Sequence, residues 1–230
     1  MHPANQTKPS KLIKTRHKPT DIVEISRRIV EAFPIMDEME QRLALGLYGL
    51  LAKGVAVAHT TLSQDLELDL AAVEKILKKW PGLFHDDDDK IIGFWGLSIV
   101  ETSHQLMING QTVYAWCAWD TLFIPHLLQT DAAVSSHCPI RNSRISLTVT
   151  PQGVSAVTPK EAVVSFLIPS DEELNENITA NFCHFVYFFS VQEAAETWID
   201  SHPGTFMLSP QEAFSLGKSV NLARYTRTLA

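Results

Sequence analysis

Three cysteines in 230 residues are too few, and too widely spaced, for a disulfide framework or a zinc ribbon. Positive charge is also scarce. Lys and Arg number 19 against 26 Asp and Glu, for a formal net charge of −7. That balance argues against nucleic acid as a partner, because the phosphate backbone rewards excess Lys and Arg. Long apolar runs are missing too. The best stretch, Leu43 to Ala58, is interrupted by Lys53 and three glycines, whereas a membrane span needs about 20 apolar residues. Lys8, Lys11, Lys14, Arg16 and Lys18 near the start are followed by no apolar run of signal-peptide length. The expectation is therefore no membrane partner and a cytoplasmic location. The chain shows no internal repeat and no low-complexity linker.

What remains is an ordinary globular composition, 45% hydrophobic and 20% charged. It suits one large domain or two small ones sharing a core. Residues 1–19 are polar, basic and proline-bearing, which predicts a loose arm. From Asp21 the pattern turns helical. Ile22, Ile25, Ile29, Val30 and Phe33 recur at helical spacing, with Asp21 and Glu24 placed to cap the start. Met39, Leu43, Leu47, Leu50 and Leu51 form a second stripe, ended at Lys53–Gly54. A short helix from Thr60 and another through Leu70, Val73, Ile76 and Leu77 suggest a helix-turn-helix. A turn over Phe84 to Lys90 and an alternating run from Ile91 to Ile99 complete a winged-helix-like domain over residues 20–100. Its second helix offers only Lys75, Lys78 and Lys79 beside Asp69 and Glu74, without the Arg, Asn and Gln that read base edges. Asp86 to Asp89 read as a solvated acidic turn.

Residues 101–230 alternate differently. Asn109–Gly110 predicts a hairpin between Leu106–Ile108 and Thr112–Trp116. Cys117 to Leu128 is a helix-length apolar segment, short or kinked because Pro125 lies inside it. Strands are expected at Ile145–Thr150, Ala162–Ile168 and Phe182–Phe189, and helices near 191–201 and 209–225. The fold class is thus α+β: a winged-helix-like helical domain, then a mostly antiparallel sheet domain with flanking helices.

The cysteines mark the places where chemistry can reside. Cys117 and Asp120 stand at i and i+3, on one face if the segment is helical. If Cys117 opens that helix, the N-terminal dipole favours its thiolate. The pair reads equally as a buried cysteine beside a capping Asp. Cys183 lies in the aromatic run Asn181 to Phe189, where a core cysteine is the ordinary interpretation. His184, next to it, would face the other way in a strand. Cys138 follows Val134-Ser135-Ser136-His137 and reads as a structural thiol in a loop.

Taken together, these segments resemble the alkylmercury lyase family. The resemblance is carried by Tyr114 to Leu122, Ser135-Ser136-His137-Cys138, Ser146 to Pro151, and Phe182-Cys183 followed by Phe188-Phe189. Ile91-Ile92-Gly93, Glu101-Thr102-Ser103 and Glu212 to Gly217 add to it. These stand in the family's order over roughly residues 40–220. Each motif alone is weakly specific, and the ordered set is strongly so.

The resemblance implies that Cys117 and Cys183 bind the mercury of substrate and product. It implies that Asp120 is the proton-handling carboxylate and a candidate third ligand of the mercury, and that Cys138 is structural. It further implies organomercury compounds and small thiols as partners, a mercuric reductase receiving Hg(II), and no organic cofactor. There are two departures. His184 stands where some members carry a second cysteine, and the basic arm is longer than the family needs. Soft Hg(II) prefers thiolate, and two preplaced thiols outcompete free ones by effective concentration. Cys117 and Cys183 are 66 residues apart, so the fold must bring them together. Two other interpretations compete: a thiol-based metal sensor or winged-helix regulator, and a cysteine hydrolase using Cys117 with His137 or His184.

Overall fold

Capping and apolar spacing set the helices that lead the chain. The computed structural model describes residues 22–168 and 181–229. The arm expected over residues 1–19 and the Asp21 cap lie outside the described residues. Helix α1 (Ile22–Glu31) buries Ile25 and Ile29 and packs on the last helix of the chain. Helix α2 (Glu38–Leu51) opens with a reciprocal capping box between Asp37 and Glu40 and buries Leu43, Leu47, Leu50 and Leu51. Helices α3 (His59–Leu66) and α4 (Leu70–Leu77) are joined through Glu67, which takes a left-handed conformation, and the Asp69 side chain caps α4.

The chain then builds an eight-stranded antiparallel sheet in the order β1-β2-β3-β5-β4-β6-β7-β8. Its strands are β1 (Leu83–His85), β2 (Ile91–Phe94), β3 (Leu97–Ser98), β4 (His104–Ile108), β5 (Gln111–Ala115), β6 (Ala132–His137), β7 (Arg144–Thr150) and β8 (Gly153–Thr158). Asp86 closes the acidic turn between β1 and β2, its carboxylate accepting from the backbone N–H groups of Asp88 and Lys90. Asn109 and Gly110 turn β4 into β5 with φ of 49° and 79°, as an Asn-Gly hairpin requires. Because β3 pairs with β5, the sheet runs unbroken across residue 100.

A second, three-stranded sheet places β9 (Val163–Phe166) between β10 (Phe188–Phe189) and β11 (Phe206–Leu208). Helix α5 (Asp120–Leu128) follows β5. Helix α6 (Gln192–Ser201) precedes β11, and α7 (Pro210–Arg224) ends the chain with a Ser209–Glu212 capping box and Pro210 in its first turn. One hydrophobic cluster, from Ile25 to Tyr225, joins the helices to both sheets. The α+β class with antiparallel strands is therefore observed.

Local expectations change at three places: the run from Ile91 to Ile99, which the Trp95–Gly96 turn divides into two strands, residues 132–137 and residues 182–189. Residues 132–137 form a strand, not a loop. Their alternation of buried and exposed positions is written in Ala and Ser, which carry little strand propensity. The exposed edge strand β8 has too little apolar periodicity to be seen in sequence. Residues 182–189 are not one strand. Cys183–Phe185 is a 3₁₀ turn, closed by Phe185 N–H to Phe182 and Val186 N–H to Cys183. The Ser165 hydroxyl bridges the Phe185 carbonyl and the Tyr187 N–H. These bonds override the aromatic strand preference.

Candidate active site

Two segments distant in sequence are tied together by backbone hydrogen bonds. Leaving β5, the chain donates from Trp116 N–H to the Gly96 carbonyl at 2.9 Å and from Ala118 N–H to the Val186 carbonyl at 3.1 Å. The second bond fixes the Cys117 loop against the turn that carries Cys183. Asp120 is the first residue of α5, and its Oδ2 accepts from the Cys117 backbone N–H at 2.8 Å. The Sγ atoms of Cys117 and Cys183 and a carboxylate oxygen of Asp120 all lie within 4.8 Å of one another. Among the described residues this is the cluster able to hold a metal ion. All three side chains are buried, and all three cysteines of the chain are free thiols.

Room for the carboxyl comes from Gly96. The Trp95–Gly96 turn between β2 and β3 has φ of 34° and 98°. A Cβ at Gly96 would sit 2.5 Å from Cγ of Asp120.

Burial governs the electrostatics. It pushes the Asp120 carboxyl from 3.8 up to about 7, against hydrogen bonds from the Cys117 side chain and backbone that pull it down. Burial also holds the Cys117 thiol well above its ordinary value, helped by its contact with Cys183 and by the charge of Asp120. For Cys183, the hydrogen bond from Cys117 lowers the value, but desolvation and the Asp120 charge together leave it raised. Cys117 precedes α5 rather than opening it, so the helix dipole is not the controlling influence on its thiol. The free site is a protonated dithiol beside a carboxyl that titrates near neutrality. A soft metal binding there displaces the thiol protons.

The cavity beside Asp120 and Cys183 is small, about 30 Å³, room for a water-sized group. A larger organic group enters only if neighbouring side chains move. Trp116, Trp119, Phe123 and Phe182, the aromatics next to the candidate residues in sequence, all line it. Trp119 Nε1 donates to the Ala213 carbonyl at 2.9 Å, and its ring meets Phe123 and Phe182 edge-on. Ile29, Phe33, Trp95 and Arg224 also line the cavity, and no local motif marks them. The Trp95–Gly96 turn falls inside the run from Ile91 to Ile99 that the sequence reads as one alternating strand.

Other sequence candidates lie elsewhere. Cys138 follows β6 and is buried. Burial raises its thiol, but donors from Ser190, Arg141 and Ile140 outweigh this and bring it below the ordinary value. His137 and His184 are exposed, whereas Cys117 has no exposed surface. The Cys–His pairing of a hydrolase therefore finds no support in this arrangement.

A family model described as alkylmercury lyase matches residues 97–221. The chain is 36% identical to the alkylmercury lyase of Bacillus cereus over 172 residues, 75% of this chain and 77% of that protein. It is 34% identical to that of Pseudomonas putida over 194 residues, 84% of this chain and 90% of the other. With the Staphylococcus epidermidis protein the identity is 33% over 179 residues, 78% and 81% of the two chains. In fold it is similar to the solved mercury-bound form of MerB2, with a TM-score of 0.71 at 23% identity, over 87% of this chain and 97% of that one. With the ordered motifs and these matches spanning most of the sequence, the chain belongs to the alkylmercury lyase family.

Proposed function

We propose that this protein cleaves carbon–mercury bonds by protonolysis at Cys117, Asp120 and Cys183. The observation that carries the reading is the convergence of two buried thiols and a carboxyl titrating near 7 within 4.8 Å. Cys117 attacks mercury as thiolate and displaces the ligand X from R–Hg–X, which departs with the thiol proton. Asp120, ionised, takes the proton of Cys183, and the Cys183 sulfur closes on the same mercury. Two soft donors raise electron density on the carbon and weaken the Hg–C bond. Asp120 then delivers its proton to that carbon as general acid. R–H leaves, Hg(II) remains on the two thiolates, and Asp120 is again a carboxylate. No oxidation state changes, and the cycle uses no organic cofactor.

The product is a two-coordinate thiolate complex in a buried site, so turnover needs exogenous thiols to extract Hg(II). Reduction of the extracted ion falls to a partner, a mercuric reductase by analogy with the family's chemistry, in a cytoplasm rich in small thiols. No described helix is long and apolar enough to cross a membrane. Residues 101–230 serve as the catalytic part. Residues 20–100 serve as a winged-helix-like support, a reading favoured by the α3–α4 pair followed by the β1–β2 hairpin. Ile29, Phe33 and Trp95 from that support line the cavity.

The test is incubation with phenylmercury and excess 2-mercaptoethanol, with benzene measured in the headspace and Hg(II) in solution. Catalytic benzene release that disappears in Cys117→Ala and Cys183→Ala is expected. Stoichiometric mercury uptake without benzene would instead favour a thiol-based mercury-binding sensor.

A further inference from the structure

Arg224, in the last turn of α7, lines the same cavity as Asp120 and Cys183. Its guanidinium carbon stands 4.1 Å from the ring centre of Phe33 and 4.4 Å from that of Trp95. Its Nε and Nη2 are buried and have no hydrogen-bond partner among the described residues. The rings and the C-terminal end of the helix both favour a cation at this position. Neither, however, satisfies an N–H donor, and buried donors are ordinarily paired. The two free atoms form one edge of the guanidinium, the fork that receives both oxygens of a carboxylate.

We propose that the Nε/Nη2 edge of Arg224 is an anion-accepting subsite of the substrate cavity. It receives a carboxylate carried either by the organic group on mercury or by the thiol bound to mercury. The proposal rests on the lyase reading and deepens it, because it makes Arg224 a determinant of which organomercury species are preferred. Lysine would keep the charge but lose the fork. Methionine would keep an apolar stem between Phe33 and Trp95 and lose both.

The test compares wild type, Arg224→Met and Arg224→Lys on three substrates. These are phenylmercury with 2-mercaptoethanol, phenylmercury with 3-mercaptopropionate, and 4-carboxyphenylmercury with 2-mercaptoethanol. The hydrocarbon product is quantified to give kcat/KM. Wild type is expected to prefer at least one carboxylate-bearing substrate over the neutral reference. Arg224→Met should cut that preference, taken as the ratio of kcat/KM values within each variant, roughly tenfold or more through KM, with Arg224→Lys in between. The substrate that loses its advantage identifies the carboxylate's source. Preference ratios identical in wild type and Arg224→Met would overturn the subsite while leaving the lyase reading intact. No benzene from wild type on the neutral reference would sink the lyase reading itself, and the subsite with it. Should Arg224→Met fail to fold, benzoate reads the subsite in wild type. It must compete with phenylmercury, and absence of competition overturns the proposal.

Discussion

Gly96 leaves open the space that the Asp120 carboxyl fills: a Cβ on Gly96 would lie 2.5 Å from both its Cγ and its Oδ1. The glycine also has φ of 98°, a conformation that side chains disfavour. Gly96→Ala should therefore push Asp120 away from Cys117. It is expected to lower turnover at least roughly a hundredfold and stability by about 1–3 kcal/mol. Benzene release at the native rate by a folded Gly96→Ala protein would show that the carboxyl does not need this position.

Asp120→Asn separates binding from proton delivery. An asparagine oxygen can still accept from the Cys117 N–H, so the loop should hold its shape. The amide cannot carry the proton from Cys183 to carbon. Mercury is expected to bind near one per protein, with hydrocarbon release reduced by roughly 10²-fold or more. Mercury titration beside a single-turnover benzene measurement decides the matter, and an undiminished rate would remove Asp120 from the acid role.

The pH dependence of activity follows from the same group. Asp120 must be ionised to accept the Cys183 proton, and burial sets its titration at about 7. Below that value kcat/KM is expected to fall roughly tenfold per pH unit. Any rise that continues above it belongs to the Cys117 thiol, which burial holds well above its ordinary value. A rate independent of pH between 5 and 7 would contradict the assignment.

Stability should respond in the opposite sense. The folded value of Asp120, about 7, lies above its ordinary 3.8, so the native state holds a proton across that window when the unfolded chain does not. The contribution is fully present below 3.8 and is lost as pH rises through about 7. Relative to Asp120→Asn, the wild type should lose stability over that range. Urea melts at a series of pH values test this, and parallel curves for the two proteins would refute it.

Cys138 supplies the control for thiol chemistry. Its sulfur is buried among backbone donors of Ser190, Arg141 and Ile140, at the end of β6. Cys138→Ser should cost about 1–2 kcal/mol through altered packing and leave turnover unchanged. A thermal melt paired with the benzene assay checks both halves. Loss of turnover in a well-folded Cys138→Ser protein would give the third cysteine a chemical role.

Much of the local structure is legible in the chain. The apolar stripes of α2 and α4, the helix near 209–225 and the Asn109–Gly110 turn are short-range patterns, and each forms where the sequence places it. Strand β6 was hidden because Ala and Ser say little about strands on their own. The Cys183 turn was misleading because aromatic residues favour a strand until Ala118 and Ser165 compete for its backbone groups.

The sequence by itself determined which reactive groups exist, that Cys117 and Asp120 stand three residues apart, and which family's ordered motifs surround them. It did not determine that Cys183, 66 residues from Cys117, reaches the same 4.8 Å cluster, or that Arg224 comes to line the same cavity. Those placements belong to the tertiary structure, because they depend on how a turn, a helix end and a sheet loop pack through space. The proton affinity of Asp120 belongs there as well. A carboxyl is an ordinary acid in the extended chain, and only its burial in the folded protein makes it titrate near 7.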